Sequence, residues 1–199
     1  GALALSLVLV PASVVVNGSG AWPAFARHIA MHDGTPTTNR MGWKGVVSHS
    51  AAGRMTVVTE PSRSDPYSKW KSLREERLHD LVWVYRAGFL LALGAFVCVT
   101  SRLRSFALAI SLGACLLPVL LGLSCYYYSF LLLLCPLSRA RRPLELAAVL
   151  AALLSGVAAL KYPAFDDRYI AMSVLFLVYA GFTLLSLGRM QTAERGIAA

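Results

Sequence analysis

The sequence predicts an all-α fold, a multi-pass transmembrane helical bundle of about six spans with one structured extracytoplasmic loop. Two observations carry this. The chain is 57% hydrophobic and only 15% charged, and the charges are concentrated. Nine of the 19 Lys and Arg lie between Arg27 and Arg77, and six of the 10 Asp and Glu lie between Asp33 and Asp80. The stretches on either side are long, apolar and nearly free of charge, and no period-two alternation over several strands suggests a barrel.

The chain opens inside an apolar run, Ala2–Val16, with no basic residues ahead of it. That is a poor signal peptide, so residues 1–19 are expected to be the end of a truncated spanning helix. Asn17-Gly18-Ser19 matches a glycosylation sequon but sits close to the apolar run.

Residues 20–80 form the one polar region. Trp22, Phe25 and Ile29 lie at helical spacing with Pro23 suited to a first turn, which predicts a short helix on the membrane surface. A turn-rich stretch, His32–Asn39, follows. Val46–Ser48 and Met55–Thr59 flank Ala51–Arg54 and read as a small hairpin. Asp65 and Pro66 form an N-cap and N1 pair for a helix carrying Tyr67, Trp70, Leu73 and Leu78, with a charged face from Lys69 to Asp80.

Five apolar segments then fill residues 81–199: Leu81–Thr100, Ser105–Leu123, Cys125–Leu137, Leu144–Leu160 and Tyr169–Leu187. A span needs about 20 mostly apolar residues, which these reach or approach. Short loops set the orientation. Arg102 and Arg104, then Arg139, Arg141 and Arg142, then Arg189 and Arg195 all fall on one side, which the positive-inside rule makes cytoplasmic. The opposite loops hold Ser124-Cys125 and Lys161–Arg168, the latter balanced by Asp166 and Asp167. Residues 20–80 would then lie outside. Their nine basic residues argue the other way, but long loops translocate largely regardless of charge.

The net charge of +9 fits basic loops beside anionic lipid, and nucleic acid is not expected as a partner. Cys98, Cys115, Cys125 and Cys135 lie in or beside apolar runs without metal or redox spacing, and read as small buried hydrophobes.

Several residues have chemical potential. His28 and His32 share a helix face but lack a third ligand. Thr35–Lys44 (TPTTNRMGWK) collects hydroxyls, an amide and two cations beside glycine. Thr38, Asn39, Arg40 and Lys44 suit a phosphate or sugar, and Gly42 permits close backbone approach. A solvated turn is the plainer reading. Tyr126–Tyr128 open a span, and because successive residues lie about 100° apart, at least one, with Tyr127 the candidate, faces inward. Arg86, five residues into a span, either snorkels or meets a lipid phosphate, Asp166 or Asp167. Acid pairs such as Asp166–Asp167 serve as general bases or divalent-metal ligands, and more often as solvated loops.

Two patches resemble the GT-C superfamily of membrane glycosyltransferases, in its bacterial polyprenyl-phosphate-sugar-dependent mannosyltransferase-like branch. One is Trp22–Val47, with the core Thr37–Lys44, similar to an extracytoplasmic Asn-x-x-Gly segment. The other is Ser124–Phe130, similar to the aromatic or His-rich start of a late span. The resemblance implies a C-terminal fragment in a bacterial inner membrane and a polyprenyl-phosphate-linked sugar donor. It also implies a catalytic acid in an early loop upstream of the fragment, with Asp33 the only early candidate in this chain. Tyrosines stand where the family carries histidines. The resemblance fixes no cofactor and leaves a divalent metal open. A non-catalytic membrane subunit or scaffold is the alternative.

Overall fold

The structure is a computed structural model. It describes residues 11–34, 36–103, 105–124, 134, 136, 137 and 141–197, with backbone alone for 32–34, 123 and 190–197. It divides into two compact units, Gly1–Thr35 and Pro36–Ala199.

In the first unit, residues 11–17 are helical and Ala21–Gly34 form α1. Gly18 turns between them with φ 84°, and the Trp22 indole donates to Ser13 Oγ at 2.8 Å. The helix expected around Trp22, Phe25 and Ile29 is present. It also absorbs His32, Asp33 and Gly34, which read as turn.

The second unit is predominantly helical. After β1 (Arg40–Met41) come two short helices, α2 (Trp43–Ser48) and α3 (Met55–Val58). The expected hairpin is therefore incorrect. Both of its arms, Val46–Ser48 and Met55–Thr59, fall largely in helix, because tertiary contacts outweigh the strand preference of their β-branched residues. Helix α4 (Ser68–Asp80) starts two residues after its expected first residue. Asp65 nevertheless works locally, accepting the Tyr67 N–H at 3.0 Å and the Lys71 ammonium at 2.7 Å.

Among the described residues three helices are long and apolar enough to cross a membrane: α5 (Val82–Thr100), α8 (Arg142–Lys161) and the Phe165–Arg189 part of α9 (Phe165–Ile197). The span expected over Ser105–Leu123 is broken into α6 (Phe106–Ala114) and α7 (Leu117–Leu120), followed by β2 (Leu123–Ser124). Pro118 in the first turn of α7 is tolerated there but cannot continue α6, since it offers no N–H to a preceding carbonyl. The expected Cys125–Leu137 span lies almost wholly outside the described residues.

Helix α9 is the central element, packing against α2, α5, α7, α8 and β1. Its apolar half joins the core of Val99, Leu112, Leu144, Phe176, Tyr179 and Leu187. The antiparallel order of the helices places two sets of ends apart. At one end, Arg141 Nη1 donates to Ser186 O at 3.3 Å, and Gly188 approaches Val99. At the other, the start of α5, the end of α7 and the start of α9 meet the 36–80 segment. The short basic loops predicted to share one side are consistent with the first end wherever they are described.

Candidate functional site

The 36–80 segment is fastened to the helix ends at two places. The first is built around β1. Its two residues pair antiparallel with β2, Arg40 opposite Ser124 and Met41 opposite Leu123. Gly42 follows with φ 113°. Its N–H donates to Ser173 Oγ on α9 at 2.8 Å, while the Ser173 hydroxyl donates to Tyr169 O at 2.6 Å. Trp43 next reaches α5, where its indole N–H donates to Tyr85 O at 3.1 Å. Its ring fills the space of a missing side chain, since a Cβ on Gly88 would stand 2.6 Å from it. The Arg40 stem likewise runs along Gly122, whose Cβ would lie 3.0 Å from Arg40 Cδ.

The second fastening is an ion network that sequence reasoning missed. Asp166, 2% exposed, and Asp167 occupy the first turn of α9, where the partial positive charge of the helix end favours carboxylates. Asp166 Oδ2 accepts the Met55 N–H at 2.7 Å and the Trp70 indole at 3.3 Å, and Arg74 Nη2 lies 3.8 Å away. Its Oδ1 accepts the Asp167 N–H at 2.9 Å. Asp167 Oδ1 meets Arg54 Nε at 3.3 Å and His49 Nε2 at 3.5 Å. Arg74 is itself buried, stacks over Trp70 at 4.9 Å, and donates to Gly45 O and Ser48 Oγ. Burial pulls its pKa down, and the carboxylates of Asp166 and then Asp167 oppose that. The sequence places Arg74 on a charged face and reads the two acids as general bases, metal ligands or, more often, a solvated loop, with Arg86 as their candidate cation. In the structure Arg74 and Asp166 are buried, the acids lie in the first turn of a helix and not a loop, and their cations are Arg74 and Arg54.

His49 sits between Arg74 Nη2, 3.1 Å from its Nδ1, and Asp167. A guanidinium can only donate, so Nδ1 accepts and the ring proton is on Nε2, toward Asp167. Protonating Nδ1 would set two donors against each other. The pKa of His49 is accordingly lowered, first by burial and then by Arg74, with Asp167 and Asp166 opposing. A base whose pKa is lower folded than unfolded stabilises the fold above its unfolded pKa, and this contribution is lost as pH falls through the folded value. The full chain in detergent should therefore lose thermal stability as pH falls below 6.5, and His49→Gln, which keeps an acceptor without titrating, should flatten that limb. Superimposable pH profiles would count against this arrangement of the ring.

The His49, Asp166 and Asp167 ligand atoms lie within 4.8 Å of one another, close enough to hold a metal. The surroundings do not fit one. Two guanidiniums, Arg54 and Arg74, already balance the two carboxylates, and both ring nitrogens of His49 are engaged. The network is built for fastening rather than for a cation.

Among the sequence-predicted residues, Thr38 and Asn39 form the half-buried turn before β1, closed by Arg40 N–H to Thr37 O at 3.2 Å. Lys44 is half-buried in the first turn of α2. Of these four, Arg40 stands against β2, and Lys44 lies on α2, which packs against α5. Arg86 is exposed on α5, and the cations on Asp166 and Asp167 are Arg74 and Arg54 instead. Asp33 belongs to α1, with its side chain outside the described residues, and Tyr127 lies outside them altogether. Gly42 does serve a close backbone approach, but to Pro118 of its own chain.

No family model, curated protein or solved structure matches the chain.

Proposed function

We propose that this chain is the C-terminal part of an integral membrane glycosyltransferase that uses a lipid-phosphate-linked sugar on the outer face of a bacterial inner membrane. The observation that supports this most is the β1–β2 pairing. The two segments on which the GT-C resemblance rests are distant in sequence, yet Arg40 stands opposite Ser124, the first residue of the second segment. The first patch meets the first residue of the second at one end of apolar helices, the place a donor site at the membrane interface requires.

In this reading Arg40 and Lys44, with Arg86 on the neighbouring helix, meet the donor phosphate, while Thr38 and Asn39 meet sugar hydroxyls. Transfer is an inverting displacement: the acceptor oxygen bonds to the anomeric carbon, the bond from that carbon to the phosphate oxygen breaks, the lipid phosphate leaves, and a carboxylate accepts the acceptor's hydroxyl proton. That acid is assigned to neither Asp166 nor Asp167, whose carboxylates are committed to Met55, Trp70, Arg74, Arg54 and His49.

The test is transfer from a polyprenyl-phosphate sugar by a full-length enzyme carrying Arg40→Ala or Lys44→Ala. Losing a charge-assisted contact of about 1.5–3 kcal/mol should slow transfer roughly tenfold to a hundredfold, with melting temperature followed in parallel. Wild-type transfer rates in both stable variants would reject the donor role. For orientation, an impermeant thiol reagent should label a cysteine placed at Ser62, which is exposed, in intact cells. Protection there would place the segment inside.

A non-catalytic membrane subunit is the second reading. It is favoured by the commitment of the most buried polar cluster to holding the 36–80 segment in place.

A further inference from the structure

We propose that the corner between α8 and α9 docks the phosphate headgroup of an anionic phospholipid, with Lys161 and Arg168 as the cations that meet it. In sequence the segment Lys161–Arg168 is neutral, two bases against two acids. Folding separates them. Asp166 is buried against Met55, Trp70 and Arg74, and Asp167 faces Arg54 and His49. Both acids are thus spent on the 36–80 segment, and among the described residues neither Lys161 nor Arg168 forms an ion pair. A local positive charge is left that the sequence conceals.

These two cations lie over aromatic rings instead. Lys161 Nζ is 5.8 Å from the Tyr162 ring centre, and Arg168 Cζ is 5.5 Å from that of Phe165. Phe165 in turn stacks on Tyr169 at 6.2 Å. Arg168 also donates from Nε to Tyr162 O and from Nη2 to Pro163 O, which holds the corner in shape. Leu160 is 89% exposed and Phe165 49%, so apolar surface ends where the cations begin. Aromatics with one wet edge and cations on apolar stems are the side chains that settle at headgroup depth. Phosphate is the anion found there, and anionic lipid is drawn to such cations. The inference depends on the helices being membrane spans and not on glycosyl transfer.

The test is native mass spectrometry of the full chain released from nanodiscs of mixed phosphatidylglycerol and phosphatidylcholine. Wild type should retain phosphatidylglycerol preferentially. Arg168 also braces the corner, so the decisive variants are at exposed Lys161. Lys161→Gln should cut the preference roughly fivefold, Lys161→Glu should cut it further, and Lys161→Arg should preserve it. Equal retention of both lipids by the wild type, or a preference surviving Lys161→Glu, would overturn the proposal.

Discussion

Asp166→Ala should destabilise the protein by about 3–5 kcal/mol, the usual cost of removing one partner of a buried ion pair. The carboxylate does more than neutralise Arg74. It caps the Met55 N–H at the start of α3 and satisfies the Trp70 indole on α4. Without it, a guanidinium 8% exposed is left buried without its nearest carboxylate, and the Met55 and Trp70 donors lose their acceptor. Denaturant unfolding in detergent should show the loss, and limited proteolysis should show earlier cleavage between α3 and α4. Replacing both charges, in Asp166→Leu with Arg74→Met, should recover part of the stability, because no charge then remains to be desolvated. A single Asp166→Ala variant as stable as wild type would mean that the network does not hold the segment.

The contrast between spans and site follows from how far apart the determining residues lie. Helices α5 and α8 were legible because a run of apolar residues long enough to cross a bilayer is a local property. The start of α9 was not. Asp166, Asp167 and Arg168 look like loop by hydropathy, which begins the helix at Tyr169, four residues after its actual start at Phe165. Two acids following Pro163 and Ala164 are also a first-turn signal, and that was the available clue. Trp70 and Arg74, four apart and thus on one face, were a second clue that α4 buries a cation. What no pattern within a segment could supply was the pairing of Arg74 with Asp166, or of Arg40 with Ser124, because neither partner marks the other in sequence. The short helices α2 and α3 are a related case. Val46, Val47, Val57 and Val58 favour strand locally, and the contacts of α2 with α4, α5, α7 and α9, and of α3 with α4, decide otherwise.

Gly42→Ala should be the most damaging change in the β1 fastening, and two independent costs lead there. With φ 113° and ψ −175°, residue 42 occupies a region almost closed to side chains, a strain of about 1–3 kcal/mol. The added Cβ would also stand 2.3 Å from the Pro118 carbonyl oxygen, a main-chain atom of a buried residue that no rotamer change can move aside. Relief requires β1 to withdraw from α7, which pulls the Gly42 N–H off Ser173 Oγ and leaves a buried donor unsatisfied, at about 1–3 kcal/mol more. Ser173→Ala should incur only that last cost and melt between Gly42→Ala and wild type. Gly94→Ala is the control. Nothing lies within 4 Å of its Cβ position, and alanine is the better helix former, so it should melt with wild type or slightly above. If Gly42→Ala and Gly94→Ala unfold together, the backbone at residue 42 is not as described. If they separate as expected, lost transfer in a Gly42 variant will not identify a ligand contact. Withdrawing β1 moves Arg40 away from Ser124, so activity and stability fall together there. Only side-chain truncations at Arg40 and Lys44 that leave stability intact can then report on donor binding.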